Sequence, residues 1–253
     1  MRFTPQLRDL KWLVEKPIAH RGLHNEKMGI VENCESAFAD AIKHGYSTEC
    51  DVELTKDGEA VVFHDDEIDR LLDGSGMVGA FTTKELKKKK YREGKDQIQT
   101  LAELLEQVGG RSTLVIEIKS LWDEDMTLTY RALEVLADYA GPYALMSFDP
   151  HIIACVAERS PTTVRGITAD RVTDPYYHNL SLARRLEMQS FSHLPRSKPH
   201  FVSFDANGLP FAAISEIRER GHPVICWTIR SPEQAAHALR YSDQITFENY
   251  HPE

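Results

Sequence analysis

Four short stretches of the 253-residue chain carry side chains that could do chemistry together. Ser47-Thr48-Glu49-Cys50-Asp51-Val52-Glu53-Leu54 reads as a β-strand, and side chains alternate faces along a strand. Glu49, Asp51 and Glu53 therefore share one face, and Cys50, Val52 and Leu54 the other. If the apolar face meets a layer of helices, the carboxylates point inward. That arrangement is costly unless something cationic lies between them; the plain alternative is an edge strand with its polar face in solvent. Leu114-Val115-Ile116-Glu117-Ile118-Lys119 repeats the pattern, with Glu117 and Lys119 on one face at the C-terminal end. A buried Glu–Lys pair would explain these two residues alone. It would not explain acidic clusters at the ends of two strands. Glu49, Asp51 and Glu117, all oxygen donors, suit a hard cation such as Mg²⁺ or Ca²⁺; zinc would have to recruit His20 or His64.

The other two stretches supply those histidines. Ala19-His20-Arg21-Gly22 ends a first strand, and Phe63-His64-Asp65-Asp66 ends a stretch that follows the acidic strand. Two histidines beside a cation and an Arg/Lys pair could serve as general acid and general base in phosphoryl chemistry. The planar fork of Arg21 suits phosphate oxygens. Any one of the 11 histidines would ordinarily be a surface residue; the joint placement of His20 and His64 is what carries weight. His24 and His44 fall on a loop and a helix end. His151, His193, His200, His222, His237 and His251 show no partner pattern and read as surface or capping residues. No GxSxG, P-loop or Cys–His pattern occurs.

The elements that must position these residues alternate along the chain. Strands are predicted at 17–20, 47–54, 113–119, 143–148, 163–168, 201–205, 224–229 and 244–247. Helices are predicted at 32–44, 100–108, 126–139, 150–159, within 176–190, and at 209–220 and 232–240. Ala60 to His64 would be a ninth strand. Only Thr55-Lys56-Asp57-Gly58-Glu59 separates it from the acidic strand. Asp-Gly between strands signals a hairpin, and a parallel crossover needs a dozen residues or more. It therefore folds back on its neighbour. The remaining strands fit an α/β fold, a TIM (β/α)₈ barrel with a β-hairpin and a small, partly helical insertion at about 65–98 after the second strand, in a single domain over 1–253. A doubly wound open sheet is the alternative, without a glycine-rich fingerprint to support it. Lys87 to Lys90 reads as a solvated helix end rather than a basic patch.

Bulk properties narrow the partners. Apolar residues make up 42% and charged residues 27%, ordinary for a globular chain. A net charge of -9 argues against nucleic acid or an anionic membrane as the partner. No apolar run approaches the ~20 residues that span a bilayer, and the N-terminal stretch lacks a signal-peptide core. A cytoplasmic location is expected. Cys34, Cys50, Cys155 and Cys226 show no metal spacing and read as reduced, buried and structural.

With these residues in hand, the chain resembles the bacterial glycerophosphodiester phosphodiesterases. The likeness runs in order through AHRG at 19–22, VENCESAFADAIKHG at 31–45, TECDVELTKDGEAVVFHDDEIDRLLDGSG at 48–76, TLAELLEQV at 100–108, IEIK at 116–119, SFDP at 147–150 and WTI at 227–229. The resemblance implies a TIM barrel with an insertion after its second strand. It implies a divalent cation, Mg²⁺ or Ca²⁺, on Glu49, Asp51 and Glu117, and an acid/base pair in His20 and His64. It further implies phosphate binding by Arg21 and Lys119, and a substrate pocket shaped by Phe148 and Trp227. A glycerol hydroxyl of the small-molecule substrate would attack phosphorus, and water would open the resulting cyclic phosphate to sn-glycerol 3-phosphate. Val31 stands where the family has proline, Cys34 where it has threonine, and Phe247-Glu248-Asn249 where Thr-Asp and proline are common. The loop from Leu23 to Ile30 also differs. Two rivals share the barrel: a phospholipase-D-like lipid enzyme of the sphingomyelinase type, which an exposed interfacial loop would favour, and a non-catalytic barrel binding phosphorylated ligands, which a lost ligand residue would favour.

Overall fold

The structure, a computed structural model, describes residues 9–173, 177 and 179–252. In chain order its strands are β1 (Ile18–Ala19), β2 (Ser47–Leu54), β3 (Ala60–Val62), β4 (Leu114–Ile118), β5 (Tyr143–Ser147), β6 (Arg165–Ala169), β7 (Phe201–Asp205), β8 (Val224–Ile229) and β9 (Gln244–Phe247). The helices are α1 (Lys11–Val14), α2 (Glu35–Lys43), α3 (Thr83–Leu86), α4 (Leu101–Val108), α5 (Thr127–Leu136), α6 (Pro150–Arg159), α7 (Leu182–Gln189), α8 (Leu194–Ser197), α9 (Ala212–Glu219) and α10 (Pro232–Ala238). The strand order is β1-β9-β8-β7-β6-β5-β4-β2-β3, and β1 also pairs with β2. The order closes on itself without β3, the closed parallel arrangement of a TIM barrel. The hairpin reading holds: β3 runs antiparallel to β2, with Val52 opposite Val62 and Leu54 opposite Ala60.

The chain divides into two compact units. The first comprises Ile18–Lys119 and Met126–Tyr143 and contains β1 to β4. Here β1 and β4 flank β2 in parallel register, with Ala19 opposite Thr48 and Asp51 opposite Glu117. Helix α2 begins at Glu35, later than the expected residue 32, because Asn33 turns the chain at φ 56. Thr100 and Glu103 form a reciprocal capping box on α4, and Gly109 closes it in the left-handed region. The expected insertion has its own apolar core, in which Ile68, Leu72, Val78, Leu86, Tyr91 and Ile98 pack with Val31, Cys34, Val61 and Phe63. It is partly helical, through α3, as expected. Lys87 follows that helix and pairs with Glu103, while Lys89 lies over the Phe81 ring.

The second unit holds the other described residues, with β6 to β9 in parallel register. The helix expected within 176–190 is α7; residues 176 and 178 of that range lie outside those described, as do residues 1–8 at the N-terminus. Three histidines read as surface or capping residues are buried here: His193, His200 and His222. Each finds a short-range or cross-strand polar partner that lets it go inside. His193 Nδ1 meets Ser197 Oγ at 2.9 Å, the His200 ring accepts from the Arg165 backbone N–H at 3.2 Å, and His222 Nδ1 lies 3.2 Å from the His200 carbonyl. The four cysteines are free; Cys34, Cys50 and Cys226 are buried as expected, whereas Cys155 is half-buried. No helix among the described residues is long and apolar enough to cross a membrane.

Candidate active site

Strand alternation and register build the acidic centre. Glu49 and Asp51 are on the same face of β2, and the parallel register brings Glu117 of β4 beside Asp51. All three are buried, and each offers an oxygen within 4.8 Å of the others. On the opposite face Cys50 and Val52 are fully buried. The period-2 reading of this strand was therefore sound, and both of its faces lie inside.

Two cations lie among the carboxylates. Lys119 Nζ donates to Glu117 Oε1 at 2.7 Å and to Asp51 Oδ1 at 2.9 Å. Arg21 donates its backbone N–H to Glu49 Oε2 at 2.9 Å and its Nη1 to Glu32 Oε1 at 2.7 Å, and its Nε lies 3.4 Å from Asp51 Oδ2. Arg21 can do this because its backbone is left-handed, at φ 55, and Gly22 follows at φ 76. A side chain on Gly22 would lie 2.8 Å from the Cβ and the carbonyl carbon of Ala37, so this loop is seated directly on α2.

The charge balance is uneven. Burial opposes ionisation of Asp51, but Lys119, His64, Arg21 and His20 outweigh it and hold its carboxyl well below the usual range. Glu49 goes the other way, raised by burial and by the repulsion of Asp51 and Glu117. Glu53 is pushed up to about 8, chiefly by burial, with Lys119 opposing and Asp66 and Asp51 adding to it. Lys119 stays protonated against its own burial because Asp51 and Glu117 face it. The three buried carboxyl groups Glu49, Asp51 and Glu117 thus outnumber the two cations among them, Arg21 and Lys119, and Glu49 answers the deficit by holding its proton more tightly. A hard divalent ion fits that deficit and this all-oxygen donor set.

Both predicted histidines belong to this centre. His20 Nε2 is 4.0 Å from Glu49 Oε2, and both imidazoles act electrostatically on Asp51. His64 follows β3, and its Nδ1 is 2.7 Å from Asp65 Oδ1. Burial would raise Asp65, but hydrogen bonds from His64 and Arg70 hold it well below the usual carboxylate range. An ionised Asp65 can only accept, so His64 Nδ1 carries the proton and Nε2 is left to exchange one.

Four residues of the centre were not singled out in sequence. Asn33 is buried, and its Nδ2 donates to Asp51 Oδ2 at 2.9 Å while its Oδ1 accepts from the Asp51 backbone at 3.3 Å. Glu32 receives Arg21 and Arg70; their donation outweighs the effect of burial and brings its carboxyl down to about 2. Asp65 and Arg70 complete the set. Glu32 and Asn33 read in sequence only as the start of the helix expected at 32–44. Phe148 and Trp227 belong to the second unit, edge to face with ring centroids 5.6 Å apart.

The departures from the family pattern have local explanations. Val31 and Cys34 pack into the insertion's core, and Gly94 of the insertion lies against Gly29 and Val31. After β9, Glu248 pairs with Arg230 and Asn249 turns at φ 64.

The chain is similar to known proteins in sequence and in fold. The model of the glycerophosphoryl diester phosphodiesterase family matches residues 20–244. A glycerophosphodiester phosphodiesterase of Caldanaerobacter subterraneus subsp. tengcongensis is 43% identical over 111 residues, which are 41% of this chain and 44% of that relative. The Bacillus subtilis protein YhdW is 28% identical over 229 residues, 87% of this chain and 88% of its own length. The fold is similar to that of an Oleispira antarctica phosphodiesterase solved with its product sn-glycerol-3-phosphate, with a TM-score of 0.78 at 22% identity over 94% of this chain and 95% of that one. A match across residues 20–244, which takes in the chain from β2 through β8, means that the chain belongs to the glycerophosphoryl diester phosphodiesterase family.

Proposed function

We propose that this protein hydrolyses glycerophosphodiesters to sn-glycerol 3-phosphate and an alcohol, with a divalent cation, Mg²⁺ or Ca²⁺, on Glu49, Asp51 and Glu117. The observation that carries the proposal is the gathering of three buried carboxylates within 4.8 Å beside Arg21, Lys119 and two imidazoles. Family membership supports the reaction class, and the product bound to the Oleispira antarctica relative supports the product named.

When bound, the cation would polarise the phosphoryl oxygens. Arg21 and Lys119, both part-exposed, would hold the phosphate against it. His20 and His64 would act as a pair. One takes the proton of the attacking glycerol hydroxyl and the other supplies one to the leaving alcohol, and water then opens the cyclic phosphate. His64 suits either task because Asp65 fixes its Nδ1 proton and leaves proton exchange to Nε2. Phe148 and Trp227 would shape the substrate pocket.

The test is a coupled glycerol 3-phosphate assay over a panel of glycerophosphodiesters, with and without EDTA. Turnover is expected with the metal and not after chelation. His20→Ala and His64→Ala are each expected to lose a factor of ~100 or more. Undiminished turnover in EDTA would remove the metal from the reaction, and an unaltered rate in His64→Ala would remove that residue from the acid/base pair.

A further inference from the structure

Arg70 is the one residue of the insertion whose side chain reaches both halves of the site's polar frame. Its guanidinium makes four hydrogen bonds to two carboxylates. Nη1 donates to Glu32 Oε2 at 2.9 Å and Nη2 to Glu32 Oε1 at 2.6 Å, while Nε donates to Asp65 Oδ2 at 2.7 Å and Nη2 to Asp65 Oδ1 at 3.0 Å. Each carboxylate then holds one of the groups given a chemical task above. Asp65 binds His64 Nδ1, and Glu32 binds Arg21 Nη1. The chain of contacts is thus His64–Asp65–Arg70–Glu32–Arg21, with Arg70 at its centre.

The position of Arg70 is fixed from below. Ile68 and Leu72, both fully buried, anchor the backbone on either side of it in the insertion's core, where Val31 and Cys34 also pack. Arg92 adds a bond from its Nε to the Asp69 carbonyl at 3.1 Å, and its N–H donates to the Leu71 carbonyl at 2.9 Å. Glu32 lies beside Val31 and Asp65 beside His64. The same core therefore sets the distance between the two carboxylates that Arg70 spans. A lysine could supply the charge here but not two planar, paired contacts.

We infer that Arg70 is a positioning residue, through which the insertion fixes the ring orientation and tautomer of His64 and holds Arg21 in place. The inference rests on the proposed phosphodiester hydrolysis only for its kinetic consequence. Its structural consequence is separate: without Arg70, Asp65 has a single ordered partner and is free to turn away from Nδ1. An imidazole without a carboxylate on Nδ1 takes up the other tautomer in part.

The experiment joins two readouts on the full chain. In ¹⁵N NMR of labelled protein, with His64→Asn assigning the signal, neutral His64 of the wild type is expected to carry its proton on Nδ1. In Arg70→Ala a population with the proton on Nε2 is expected to appear. Kinetically, Arg70→Ala is expected to lose kcat by ~10 to 100-fold while KM changes far less, as removal of an orienting partner does elsewhere. Added guanidinium should restore part of the rate, since Arg70 is 45% exposed. Arg70→Lys keeps the stem and the charge and covers the case in which the alanine variant fails to fold; it is expected to show the same tautomer change. An unchanged Nδ1–H tautomer with kcat within about twofold of wild type in the folded variant would overturn the inference. A wild type with no turnover on any glycerophosphodiester would instead overturn the proposed function, and the tautomer readout would still decide the role of Arg70.

Discussion

Asn33 occupies a left-handed backbone position, φ 56, and uses it to bring an amide against Asp51. Most side chains resist that conformation, whereas asparagine accepts it. Its Nδ2 holds the Oδ2 atom of Asp51 while Lys119 holds Oδ1, so the carboxylate is gripped from both sides. Removing such a partner from a ligating carboxylate costs ~10 to 100-fold in metal affinity in other sites. Asn33→Gly keeps the backbone free to turn and deletes only the amide; Asn33→Ala deletes the amide and adds strain. Both are expected to weaken Mg²⁺ or Ca²⁺ binding by ~10-fold or more in titration calorimetry, with the alanine variant also less stable. A glycine variant that binds the ion as tightly as wild type would show that Asn33 does not orient Asp51. No local pattern announces this role. The carboxylates were legible because two-residue alternation is written into the strand itself, while the contact from Asn33 to Asp51 joins positions 18 apart through a turn. The same holds for Arg70 and Glu32, separated by 38 residues.

At the scale of elements, what the sequence made legible was whatever had a local cause. The Asp-Gly turn gave the β2–β3 hairpin, and Gly109 the end of α4. The bounds of β2, α6, β7, β8 and β9 match the sequence pattern. The start of α2 did not, because Asn33 turns the chain ahead of it, and the burial of His200 and His222 did not, because their partners, Arg165 and His200, are distant in sequence. The β1–α2 connection shows how such a contact is enforced. Gly22 sits at φ 76 with Ala37 at its back, while its N–H donates to the Glu49 carbonyl at 3.2 Å and the next N–H, of Leu23, donates to the Ala37 carbonyl at 2.9 Å. A methyl group there meets the Ala37 backbone at 2.8 Å and requires a strained φ. Gly22→Ala is therefore expected to cost ~2 kcal/mol or more of unfolding free energy in urea titration, and to displace Arg21 enough to lower turnover. Wild-type stability in this variant would mean that the loop is not pinned to α2.

At the scale of the whole molecule, stability and pH are linked through groups far from the acidic centre. His193 is buried beside α8, bonded to Ser197 Oγ, and near the positive Arg196. Burial first, and Arg196 second, lower it from 6.5 to about 4. In the folded chain it is therefore neutral where the unfolded chain would be protonated. The unfolded state binds the extra proton, so this residue's contribution is fully present above pH 6.5 and is lost as pH falls from 6.5 towards 4. A shift of that size is worth on the order of 2 kcal/mol between pH 7 and pH 5. Other groups titrate on the same curve with different signs. Glu53, raised to about 8, adds stability as pH falls, and Glu32, near 2, matters only at lower pH. The raw pH dependence of unfolding is thus a sum, and only a difference isolates His193. His193→Gln keeps a polar group near Ser197 and cannot titrate. Its unfolding free energy is expected to fall less than that of the wild type between pH 7 and pH 5, by on the order of 2 kcal/mol. Parallel curves for the two proteins would mean that His193 takes up its proton in the folded state as readily as in the unfolded one. That would contradict the burial from which the shift arises.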